Sequence, residues 1–255
     1  MRRFFQPVVA ALLLAGHAAC ASAQSVDLAL VMAVDVSESV DAGEYLLQHD
    51  GIARAFEDPL LVAAIAAGQR GAIEVAVLEW SDRDKQVVTV DWTRIGDATS
   101  AAGFAHKVRD SQRSSNGLTA IGDALLAARA LFDSAPAPAD RKLVDLSGDG
   151  MANIGPPVRE TRDALVAAGI TINGLAILAS EPWLESYYDE YVIGGPGAFL
   201  LRAEDFSSFA TAIHNKLLGE ISGLMPAVPP DAERRLAAQI QYVLSGAKPL
   251  KPTDE

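Results

Sequence analysis

Apolar runs of strand length alternate along this chain with stretches whose apolar residues recur at helical spacing. That alternation predicts an α/β fold with a sheet covered on both faces. The strand-like runs are Leu28–Asp35, Ile73–Trp80, Gln86–Trp92, Lys142–Leu146, Thr171–Leu178 and Ala198–Arg202. The first, second, fourth and fifth lack a polar face, as strands of a parallel sheet buried from both sides do. Only Ser81 to Lys85 separates the second run from the third. That gap cannot hold a crossover helix, so these two strands should form a hairpin, with the third antiparallel at the sheet edge. The predicted architecture is a three-layer, doubly wound, mostly parallel six-stranded sheet with one antiparallel edge strand.

Helices account for the other gaps. Asp41–Ala67 reads as one long helix or as two broken near Pro59. Ile121, Ala124, Leu125, Ala128, Leu131 and Phe132 line one helical face, and Phe206, Phe209, Ala210, Ile213 and Leu217 line another. Asp205 is placed to cap the second of these, and Gly169 to close a helix that starts near Pro157. No internal repeat is present.

The ends have a different texture. Residues 1–23 read as a signal peptide: Arg2 and Arg3 precede a short apolar core, Val8 to Ala15, and Ala21-Ser22-Ala23 offers small residues for cleavage. The apolar run is too short for a permanent span, so no integral membrane segment is expected after cleavage. The expected destination is the periplasm or the extracellular space. The chain's one cysteine, Cys20, lies inside this leader, which leaves the mature protein without disulfides or a thiolate site. One α/β domain is expected over 24–222. Residues 223–255 form a proline-containing linker and a short C-terminal amphipathic helix, with Leu236, Ile240, Val243 and Leu244 at helical spacing.

Charge narrows the partners. Cleavage removes Arg2 and Arg3, leaving 19 of the 21 basic residues against 33 acidic ones, so the formal charge moves from −12 to −14. Such a surface repels phosphate backbones and anionic lipid. Nucleic acid is not an expected partner, whereas a divalent cation is compatible.

The candidate chemistry begins where the first strand ends, at Asp35-Val36-Ser37-Glu38-Ser39. A carboxylate and two hydroxyls at alternate positions can turn toward one point and suit a hard cation that prefers oxygen. Taken alone, an Asp or Ser after a strand is more often a turn former or a helix cap than a ligand. Two later segments add oxygens: Thr119 at the mouth of the helix that follows Asn116-Gly117, and Asp149 in Ser147-Gly148-Asp149-Gly150, after the fourth strand. In an open α/β sheet such segments converge outside the carboxyl ends of the strands.

With these residues in place, the chain from about Val26 to Ser222 resembles a von Willebrand factor type A domain and, more narrowly, a bacterial group of secreted proteins with that fold, the DUF1194-like proteins. The resemblance implies a metal-ion-dependent adhesion site with the pattern Asp-x-Ser-x-Ser, a distant Thr and a distant Asp. Here those are Asp35, Ser37, Ser39, Thr119 and Asp149. In the family pattern a Ser or Thr directly precedes the last aspartate, whereas here Gly148 stands between Ser147 and Asp149. The implied cofactor is Mg²⁺ or Mn²⁺. The implied partner is a protein whose Asp or Glu carboxylate replaces a water on the ion.

The segment from Glu181 to Gly197 carries Trp183, Tyr187, Tyr188 and Tyr191. It leaves the fifth strand on the edge that holds the proposed ion, so these four are candidate partner contacts; a self-packed lid is the other reading. Glu79 and Asp82 are expected in a solvated loop at the rim. His49, His106 and His214 are expected at the surface or half-buried, and Asp145 needs an internal partner that the sequence does not identify. No catalytic residue is assigned, because no nucleophile elbow, phosphate loop or well-placed histidine occurs. A metal-assisted hydrolase and a metal-independent assembly factor are the alternatives to a secreted binding module.

Overall fold

β1 (Val26–Asp35) runs through the middle of a six-stranded sheet, flanked by β2 (Ile73–Trp80) on one side and β4 (Ala139–Gly148) on the other. The computed structural model describes residues 24–223 apart from Ser180 and Pro182. The expected leader and C-terminal tail therefore lie outside the described residues, except Gly223. The strand order is β3-β2-β1-β4-β5-β6, with β3 (Gln86–Ile95), β5 (Ile170–Ile177) and β6 (Leu200–Ala203). All pairings are parallel except β2 with β3, where Trp80 faces Gln86 across a tight turn. The hairpin expected from the short Ser81–Lys85 gap is present.

Side-chain alternation divides the core. Leu28, Leu30, Met32 and Val34 of β1 pack under α1 (Ala42–Glu57), α2 (Pro59–Ala66), α3 (Ala98–Asp110) and α7 (Phe209–Ser222). Ala29, Val31 and Ala33 face the opposite layer, under α4 (Ile121–Leu131), α5 (Val158–Ala167) and α6 (Leu184–Tyr187). With apolar residues on both sides, β1 has no polar face to show water, which is why it reads as an unbroken hydrophobic run. Each fully buried Leu, Ile or Met contributes about 1.5–3 kcal/mol relative to exposure.

The stretch 41–67 is two helices. Asp58 ends the first and caps the second, accepting a 2.7 Å hydrogen bond from Leu60 N–H, and Pro59 occupies the first turn, where its missing N–H has no helical partner to lose. Gly169 follows α5 in the left-handed region (φ 77), a backbone state that glycine reaches without strain. The last helix starts later than the sequence suggests. Asp205 closes a turn by accepting from Ser208 N–H at 2.9 Å, and regular helix begins at Phe209. Among the described residues, no helix is long and apolar enough to cross a membrane.

This order puts the switch point beside β1. The chain leaves β1 toward β2 in one direction and returns through β4 on the other side, so the carboxyl ends of β1 and β4 lie together at the crevice where α/β folds bind ligands.

Candidate metal centre

Asp35 closes β1 at that crevice, and its Oδ1 accepts a 2.7 Å hydrogen bond from Ser37 N–H. The turn brings Ser37 Oγ within 3.1 Å of Ser39 Oγ. Ser39 Oγ donates to Asp149 Oδ1 at 2.7 Å, so the aspartate after Gly148 faces the first motif. Thr119 is held on the third side. Its N–H donates to Asn153 Oδ1 at 2.9 Å, and its carbonyl accepts from Asn153 N–H at 3.1 Å. These bonds tie the Thr119 loop to the Asp149 loop; a Cβ on Gly150 would lie 3.7 Å from Thr119 Oγ1. Hydrogen bonds and close hydroxyls thus link Asp35, Ser37, Ser39 and Asp149, and Thr119 stands beside the Asp149 loop on a third segment. Asp35, Ser37, Thr119 and Asp149 are buried, while exposed Ser39 marks the side open to solvent.

The loop after β1 is fixed from outside by two residues that the sequence did not single out. Arg113 donates through Nη2 to the carbonyls of Val36 and Ser37, each at 2.8 Å, and through Nε to Ser115 O at 3.0 Å. Gln48 donates to Asp35 O at 3.1 Å. Both clamp backbone, and no sequence spacing reports such a contact.

Electrostatically the cluster lacks a cation. Burial, and then the nearby Asp149 charge, push the Asp35 carboxyl up to about 7. Burial likewise raises Asp149 above its ordinary range. Among the described residues, no Lys or Arg forms an ion pair with either aspartate, and the buried Asp35 Oδ2 has no hydrogen-bond partner. No three His, Cys, Asp or Glu side chains cluster among those residues, so an ion here would rest on two carboxylates and hydroxyl oxygens. That donor set fits a hard cation that retains water, and it matches the charge the two aspartates lack.

The aromatic segment divides. Trp183 is 75 % exposed. Tyr187 and Tyr191 are half-buried and stacked at 5.1 Å, and Arg159 lies over the Tyr191 ring. Tyr188 has no exposed surface, so it is not available as a contact on the rim as the sequence reading expected. It is directed inward, and its hydroxyl has no hydrogen-bond partner among the described residues.

Glu79 also departs from expectation. Rather than lining a solvated loop, it is fully buried, accepting from Tyr45 Oη at 3.0 Å and from Ser114 N–H at 2.7 Å, with His49 Nε2 at 3.1 Å. Burial alone would raise its pKa, but the bonds from His49 and Ser114 outweigh it and hold the carboxylate below its ordinary range. A glutamate near the carboxyl end of a strand that is apolar apart from Glu74 was the available signal. Asp145 obeys the same logic: its internal partner is Lys216, with Nζ 2.7 Å from Oδ1.

Comparison with known proteins agrees with this architecture. A family model described as "Protein of unknown function (DUF1194)" matches residues 25–225. No curated protein matches the chain. Among solved structures, proximal thread matrix protein 1 of the mussel byssus, in a form described as having a zinc-occupied MIDAS motif, is similar with a TM-score of 0.57 and 20 % identity, over 78 % of this chain and 48 % of that one. A von Willebrand factor type A protein from Catenulispora acidiphila is similar with a TM-score of 0.55 and 18 % identity, over 77 % of this chain and 43 % of that one. The vWF domain of the type V pili tip protein Mfa5 from Porphyromonas gingivalis is similar with a TM-score of 0.57 and 12 % identity, over 81 % and 99 %. The chain thus spans about half the length of the first two. At these identities the likeness establishes the fold.

Proposed function

The chain belongs to the DUF1194 family and has the von Willebrand factor type A fold, and from that premise we propose that it is an exported, non-enzymatic binding module acting through a divalent cation. Asp35, Ser37, Ser39, Thr119 and Asp149 would hold Mg²⁺ or Mn²⁺. Bound there, the ion would supply a positive centre able to take a carboxylate oxygen from another protein. The observation that carries this reading is the pair of buried aspartates that share hydroxyl neighbours and, among the described residues, make no ion pair with a cationic side chain. Two carboxylates formally balance a divalent charge, while three neutral hydroxyls leave the ion electrophilic toward an incoming Asp or Glu.

The surroundings support binding over catalysis. A hydrolytic site needs a base beside its nucleophile or its activated water. His49 lies against Glu79, His106 against Asp110 and His214 against Asp58, so these three are committed away from the cluster. The loops that carry Thr119, Asp149 and the aromatic segment also present exposed Leu118, Met151 and Trp183. Apolar side chains around a charged centre give a partner contact area as well as a ligand.

The test is capture of partners by immobilised protein from a secreted or periplasmic fraction, with Mg²⁺ or with chelator, using wild type, Asp35→Ala and Trp183→Ala. A partner retained only with metal, lost with Asp35→Ala and weakened with Trp183→Ala is expected. Equal retention under chelator and by Asp35→Ala would overturn the reading.

A further inference from the structure

Gly148 and Gly174 stand on neighbouring strands, and Tyr188 lies against both, with Leu200 and Ile193 also crowding Gly174. A Cβ on Gly174 would lie 3.1 Å from the Tyr188 ring, and a Cβ on Gly148 would lie 2.6 Å from the Tyr188 hydroxyl. The same Gly148 Cβ would come 2.8 Å from Asp35 Oδ2. Glycine inside a strand weakens it and marks a close approach by another group; here that group is Tyr188. The ring lies against one face of the sheet, over the space the two glycines leave. The hydroxyl and the free oxygen of Asp35 border the same point. Neither oxygen has a hydrogen-bond partner among the described residues, although Asp35 and Tyr188 are completely buried. Tyr188 is delivered there from the start of a π-turn, in which its carbonyl accepts from Ile193 N–H at 3.0 Å.

Two buried polar atoms left unpaired at one point each cost stability in the metal-free fold. A packing role would be met equally well by phenylalanine. We propose that Tyr188 is a positioning residue of the cation site, its hydroxyl reaching across Gly148 to orient the second carboxylate oxygen of Asp35 when the ion is bound. The inference rests on the cation-site reading above. It adds a sixth side chain, from β5's outgoing loop, to the five that motif spacing identifies. It also accounts for glycine at 148, since any larger residue would displace both oxygens.

The experiment is titration of Mn²⁺, and separately Mg²⁺, into chelator-stripped full-length wild type, Tyr188→Phe and Gly148→Ala, followed by calorimetry, with metal-free thermal melts of each. Tyr188→Phe keeps the ring and removes one oxygen. The expected result is affinity weakened about tenfold or more, the range seen when partners of metal ligands are removed. The metal-free melting temperature should be unchanged or raised, because an unpaired buried hydroxyl is gone. Gly148→Ala should weaken affinity in the same direction, and it carries the test if Tyr188→Phe does not fold. Wild-type binding with unaltered affinity in the folded variants would overturn the role of Tyr188 and leave the cation site standing. Absence of binding by wild type would overturn both. A lowered metal-free melting temperature with unaltered affinity would make Tyr188 a packing residue only.

Discussion

Ser39 Oγ donates a 2.7 Å hydrogen bond to Asp149 Oδ1, joining the loop after β1 to the loop after β4 across 110 positions of sequence. The two ends of the proposed site are therefore tied to each other directly by protein atoms. The remaining repulsion between Asp149 and buried Asp35 is what the ion would relieve.

Removing that repulsion should separate stability from binding. In Asp149→Ala the metal-free melting temperature is predicted to stay level or rise, because a buried like charge disappears. The wild type at a hundredfold excess of Mn²⁺ over Kd should gain about 2.7 kcal/mol, and the variant should gain almost none. Thermal melts with and without metal measure both.

Binding should also be linked to protons. Burial and the Asp149 charge push Asp35 up to about 7, so an ion would have to displace its proton below that value. Mn²⁺ affinity is predicted to fall about tenfold per pH unit below 7 and to level off above it. Metal-free stability runs the opposite way. Burial and the Asp145 charge push Glu220 up to about 8 against the opposing pull of Lys216, and Asp35 is raised as well. The folded chain then holds protons that the unfolded chain has released, and each group removes up to about 1.4 kcal/mol per pH unit as pH rises through its window. For Asp35 that window runs from about 4 to 7, and for Glu220 from about 4.5 to 8. Chelator-treated protein should melt lower at pH 8 than at pH 5, and Glu220→Gln should flatten the slope. A flat profile in wild type would contradict the shifts.

Arg113 should act on the site without touching an ion. Its guanidinium holds the carbonyls of Val36 and Ser37, so Arg113→Met is predicted to loosen the turn and weaken Mn²⁺ affinity about tenfold. Arg113→Lys should not restore it, because an ammonium cannot reproduce the planar fork that reaches Val36, Ser37 and Ser115. Calorimetric titration of both variants checks this.

The buried charge network is a stability element. Lys216 lies between Asp145 and Glu220, and Asn173 Nδ2 donates to Glu220 Oε1 at 3.0 Å. Lys216→Met leaves Asp145 and Glu220 buried without their cationic partner, and the expected loss is about 3–5 kcal/mol by denaturant unfolding. Replacing Lys216, Asp145 and Glu220 together with apolar residues of similar volume should recover most of it.

Much of this fold was legible because its signals are local. Leu28–Val34 is apolar on both faces, and the five residues between Trp80 and Gln86 permit only a hairpin. The spacing of Asp35, Ser37 and Ser39 is local too, whereas Thr119, at a helix mouth, and Asp149, past a strand end, were picked out through the resemblance to the type A pattern. Glu79, Arg113 and Tyr188 were not legible. Their roles depend on contacts 30 or more positions away in sequence: Glu79 with His49, Arg113 with Val36, and Tyr188 with Gly148. The start of the last helix was misjudged because Asp205 forms the same side-chain bond in a turn as at a helix cap.

The central claim is that three loops converge on one divalent cation. The most direct measurement is calorimetric titration of Mg²⁺ and Mn²⁺ into chelator-stripped wild type, Asp35→Ala and Thr119→Ala, with circular dichroism to establish that each is folded. Saturable binding of one ion per chain by wild type, abolished in Asp35→Ala and strongly weakened in Thr119→Ala, is the predicted result. Folded wild type that takes up neither ion, or Asp35→Ala that binds as wild type does, would contradict it.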